Sequence, residues 1–106
     1  MTTPVPGPTD TLPKGTEVYI YAGHKNPDDA TVPVRFDGGP GRNVIKRCTA
    51  QLTRSDGKVV SEDLDCTKTP SEILLQGTRD TDRLEVFVTQ WTGKTYKIID
   101  ELVQYR

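Results

Sequence analysis

The chain has 106 residues, with 14 Lys and Arg against 15 Asp and Glu, one His and two Cys, so its length fits one domain and its net charge is −1. That balance gives no field to hold a polyanion and excludes a typical nucleic-acid binder. No run approaches the ~18 apolar residues of a membrane span, no signal peptide is visible, and one His with two Cys is too few ligands for a structural zinc site.

Leu, Ile, Val and Phe make up 24 of 106 residues, just above the ~20% below which chains tend to be disordered. Ten Val and fifteen Thr against three Ala favour strands over helices. A small domain buries a limited fraction of its surface, so extra support from a crosslink, an oligomer or a partner is expected. The pattern predicts an all-β fold: a small antiparallel β-sandwich, Ig-like or Greek-key, of six or seven strands over residues 16–106. An extended Pro-rich N-terminal arm over 1–15 precedes it.

That arm reads MTTPVPGPTDTLPKG. Its prolines forbid a helix and favour an extended conformation that loses little entropy on docking. Val5, Pro6, Pro8 and Leu12 are its candidate contacts with a neighbouring protein. Thr16 to Ala22 is the first strand candidate, with Val18, Ile20 and Ala22 on one face and Glu17, Tyr19 and Tyr21 on the other. Tyr19 and Tyr21 then point outward and are candidate interface residues, because Tyr joins apolar area to a polar tip.

GHKNPDD (23–29) reads as a turn, and Ala30 to Phe36 alternates cleanly. Pro33 lacks an amide donor and predicts an edge strand or an interrupted ladder. DGGPGR (37–42) reads as a flexible Gly-rich loop. Val44 to Asp65 predicts a hairpin around Ser55-Asp56-Gly57. A three-residue loop sets Leu52 opposite Val60 and Cys48 opposite Leu64, and keeps the apolar residues on one face. Ser71 to Gly77 and Arg83 to Trp91 are further strands. The second has apolar residues on both faces and suggests a central position. After the turn at Thr92-Gly93-Lys94, residues 95 to about 100 predict a strand. Beyond it, the spacing of Ile98, Ile99, Leu102 and Val103 leaves continued strand or a short helix open.

Cys48 and Cys66 fall on one face of the two hairpin arms as diagonal neighbours, close enough for a candidate disulfide. With no signal peptide the reduced thiols are favoured. His24 stands in a polar turn with no nucleophile near it in sequence. The carboxylates at 62–65 and at Asp80 and Asp82 lack a calcium-loop spacing, and cross-strand pairing with Arg42, Lys46, Arg47, Arg54 and Lys58 accounts better for the first group. TGKT (92–95) ends like a P-loop, but Val88 stands where that motif needs Gly. Thus no metal, no cofactor and no enzymatic activity is expected.

The Cys spacing of 18, with Trp91 after both cysteines, departs from the pattern of true immunoglobulin domains. A β-rich core with an extended arm resembles, in outline, small phage virion proteins such as capsid decoration and head–tail joining proteins. The resemblance implies a non-catalytic structural module that docks on a larger protein assembly as a homo- or hetero-oligomer, in a virion or the cytoplasm, with no nucleic-acid or membrane partner. The alternative is a β-sandwich ligand-binding or adhesion module for carbohydrate or a cell surface.

Overall fold

The computed structural model describes residues 9–66, 68 and 71–104. They form seven strands: β1 (Ile20–Ala22), β2 (Thr31–Phe36), β3 (Ile45–Thr53), β4 (Val59–Leu64), β5 (Ser71–Gln76), β6 (Asp82–Gln90) and β7 (Thr95–Val103). A short 3-10 turn, Pro40–Val44, precedes β3. The strands build two antiparallel sheets, β1-β2-β5 and β4-β3-β6-β7, consistent with a small β-sandwich. Among the described residues no helix is long and apolar enough to cross a membrane.

Alternation explains the core. Val32, Val34 and Phe36 of β2, Cys48, Ala50 and Leu52 of β3, Leu75 of β5, and Leu84, Val86 and Val88 of β6 are all fully buried in one cluster. These positions recur every second residue, as a half-buried strand requires. The central position expected for the 83–91 strand is met, since β6 lies between β3 and β7. The three-residue hairpin loop also holds: Leu52 pairs with Val60 and Cys48 with Leu64, and Gly57 takes φ 91° to close the turn.

Two expectations are corrected. The first strand is shorter, Ile20–Ala22. Of the two alternatives expected at Pro33, the strand is central in its sheet and the ladder is interrupted there: Pro33 O accepts Gly23 N–H at 3.0 Å, but its missing donor faces the β1 side and returns no bond, and the β1 ladder ends one residue before it. Trp91 has left the strand and begins the β6–β7 turn.

The 95–103 ambiguity resolves as continuous strand. The ladder slips by one residue there: Phe87 pairs with Lys97 and Val86 with Ile99. The extra residue, Ile98, lets two successive isoleucines pack against the core.

Residues 9–18 bind along the β1–β7 side of the molecule. Asp10 N–H donates to Lys97 O at 2.7 Å, and Lys97 N–H donates to Asp10 Oδ2 at 2.9 Å. Leu12 is only 8% exposed and belongs to the chain's own core. Gly41 is buried under this segment, and a Cβ on it would fall on the Thr16 carbonyl. Gly39 likewise approaches Glu17 and Val18. The Gly-rich 37–42 segment is thus a close-packed clasp for the incoming chain, where a flexible loop was expected.

Candidate docking surface

The outer face of the three-stranded sheet carries exposed apolar side chains among charged ones. Tyr19 and Tyr21, predicted to point outward, are 49% and 56% exposed. Leu74 of β5 is 56% exposed. Pro33 bridges between them: it pairs with Leu74 on one side. On the other its ring leans over Gly23, where a Cβ would come 2.8 Å from Pro33 Cγ. An apolar diagonal therefore runs from Tyr21, whose register partner is Arg35, past Pro33 to Leu74. Arg35 and Glu72, opposite each other in register, add one charge of each sign, and Arg35 Nε also reaches Asp37 Oδ1 at 2.6 Å.

The outer face of the four-stranded sheet differs. Arg83 makes a two-point contact with Asp100 at 2.8 and 2.6 Å, Lys97 reaches the same carboxylate at 2.7 Å, and Glu85 lies 3.7–3.8 Å from both cations. The Asp100 carboxylate raises the affinity of the Arg83 guanidinium for its proton further. Cross-strand pairing does occur between Arg47 and Asp63, at 3.9 Å, while Arg54 turns to Asp56 in its own loop. The tighter pairs lie on β6 and β7.

The remaining candidates separate. Leu12, expected to anchor a neighbour, is used internally. Val5, Pro6 and Pro8 lie outside the described residues. Cys48 and Cys66, expected as reduced thiols, are joined as a disulfide with Cα atoms 6.3 Å apart. It ties the start of the β4–β5 connection to a core position of β3. His24 is exposed on the rim of a cleft of about 370 Å³ that also includes Ala22, Gly23 and residues 101–104. Asp80 is exposed, and its main-chain carbonyl accepts a bond from Lys25.

Asp82 is fully buried against Lys25 at 2.6 Å. Its carboxylate also accepts Ser55 N–H at 2.9 Å, Thr78 N–H at 2.8 Å and the Thr78 hydroxyl at 2.7 Å. Burial pulls its pKa upward, but Lys25 and these donors outweigh it and hold the carboxyl below its ordinary value. Lys25 spends its other donors on the carbonyls of Thr78 and Asp80, at 2.8 and 2.6 Å. The group joins the β1–β2, β3–β4 and β5–β6 connections. Asp82 thus acts as a structural pin between three connections of this fold. Among the described residues no three His, Cys, Asp or Glu side chains cluster as a metal site.

Sequence reading missed Leu74, Pro33 and Lys25. The first had a signal: Leu74 and Leu75 are adjacent, and in a strand one of two adjacent residues must face out. Lys25, in a polar turn, carried none. No family model matches the chain, and neither does any curated protein or solved structure.

Proposed function

We propose that the chain is a non-catalytic interaction module of the Greek-key sandwich type, which docks on a larger protein assembly through the outer face of β1-β2-β5. The observation that carries this reading is the apolar diagonal from exposed Tyr21 past half-buried Pro33 to exposed Leu74, with Tyr19 beside it. Large apolar side chains held on hydrogen-bonded strands lose little entropy when covered, and Tyr is favoured in such positions. These side chains stand on the outer face of a sheet, where sugars and small ligands favour concave sites. Its charges are of both signs, where a nucleic acid or an anionic membrane would favour basic residues alone. A protein surface is the partner that fits. A virion component is the form of this reading that the outline of the sequence suggests.

The test is a Tyr21→Asp, Leu74→Asp double variant expressed in the native setting. The wild-type chain is expected to sediment within a larger complex and the variant to remain free while keeping its melting temperature. Co-sedimentation of a folded variant, or a wild-type chain that never leaves the free fraction, would contradict the reading. Glycan binding lost in the same variant would move the face to the carbohydrate class.

A further inference from the structure

Trp91 stands at the tip of the β6–β7 turn and is 69% exposed. Its main-chain N–H donates to Val44 O at 3.0 Å, and Val44 is itself exposed. Lys46 Nζ lies 5.8 Å from the centroid of the indole. The ladder between β3 and β6 slips at Lys46, pairing Ile45 with Gln90 and Arg47 with Thr89. Lys94, in the same turn, is exposed. The tip is thus an apolar knob flanked by two cations, the composition of an interface hot spot.

The other half of the molecule offers a complement. Between the ends of β1 and β7 lies the cleft of about 370 Å³. Ala22, Leu102 and Val103 supply its apolar lining, and His24, Glu101 and Gln104 its polar edge. Its size falls within the range of about 300–1,000 Å³ that accepts compact ligands, and an indole is one of these. The carboxylate of Glu101 and the amide oxygen of Gln104 are acceptors, and the indole N–H is a donor only. Glu101 is exposed and puts a negative charge on the edge of the cleft, where the knob is flanked by two cations.

A chain cannot fill its own cleft. Trp91 sits at the start of the β7 hairpin arm and residues 101–104 at its end, roughly 30 Å away at about 3.3 Å per strand residue. We propose that Trp91 of one copy seats in the Ala22–Glu101 cleft of a second copy, with Lys46 and Lys94 facing Glu101. The contact joins unlike surfaces, so it repeats into a ring or an open chain of copies. The cleft borders the Tyr21–Leu74 face at Gly23, and the contact is read through Trp91 and Glu101, which that face does not include.

The test is the solution mass of the full chain by light scattering over a wide concentration range, with Trp91→Ala and Glu101→Lys variants. The sites are exposed, so both variants are expected to keep the wild-type circular dichroism and melting curve. Wild-type mass is expected to rise with concentration, and each variant alone to remain monomeric at the same concentrations. A mixture of the two is expected to stop at a dimer, because W91A supplies only an intact cleft and E101K only an intact knob. The emission of the single Trp should shift to the blue as wild-type mass rises. A wild-type chain that is monomeric throughout, or a W91A chain that assembles like wild type, would overturn the proposal. So would a mixture that stays monomeric.

Discussion

Lys25 Nζ lies 2.6 Å from Asp82 Oδ2, and both side chains are fully removed from solvent. A buried pair is weak evidence for stability by itself, but removing one member leaves an uncompensated charge and costs about 3–5 kcal/mol. Here every visible demand of both groups is met by the connections they join, so the pair aligns three loops at one end of the sandwich.

Asp82→Asn and Lys25→Met are each expected to lower unfolding free energy by about 3–5 kcal/mol, read by chemical denaturation at pH 7. Because the folded-state pKa of Asp82 is depressed, its contribution is fully present above the unfolded value of about 3.9. It is lost as pH falls below that value and through the folded pKa. The gap between wild type and D82N should therefore close in acid. A constant gap down to pH 2 would contradict the role given to the pair.

The Cys48–Cys66 bridge closes a sequence separation of 18. Loss of a native disulfide in a small domain costs about 2–5 kcal/mol, and each kcal/mol shifts Tm by ~4–8 °C in a domain this size. Reductant is expected to lower Tm by at least that amount, and a Cys48→Ala, Cys66→Ala chain to melt low with or without it. Equal melting of the wild type in both conditions, with both thiols titratable only after reduction, would remove the bridge from the stability account.

The glycines separate by cause. Gly41→Ala places a methyl group on the Thr16 carbonyl, with backbone on backbone, so nothing soft can give. Gly57→Ala meets open space and suffers only its φ of 91°, worth about 1–2 kcal/mol. Denaturation should rank G41A well below G57A. The reverse order would mean that the clasp over residues 16–18 is not formed in solution.

Leu12→Ala tests whether the Pro-rich segment is partly core. Its burial predicts a loss of about 2–5 kcal/mol, whereas a free arm would tolerate the change. Slow hydrogen exchange at the amides of Asp10 and Lys97, which bond each other's chain, would accompany it.

Much of the fold was legible in the sequence because two-residue periodicity survives burial: Val32, Val34 and Phe36, and Leu84, Val86 and Val88, point inward as their spacing requires. The illegible parts are where the period breaks or where the partner is remote. The extra residue at Ile98 shifts the phase of β7 and imitates helical spacing. Lys25 meets Asp82 across 57 residues, and no local pattern announces such a pair. Leu12 lies in a stretch whose composition says arm, yet its side chain reaches the core. The outward turn of Tyr19 and Tyr21 could be read from alternation. Their continuity with Leu74 needed the β2–β5 register.

The central claim is that the Tyr21–Leu74 face meets another protein. Photocrosslinking tests it most directly, with a benzoylphenylalanine replacing Tyr21, or as a control Thr49 on the outer face of the other sheet, each expressed in the native setting. The account predicts one discrete adduct with a larger protein from position 21, lost when Leu74→Asp is added, and none from position 49. No adduct from position 21, or the same adducts from both positions, would contradict it.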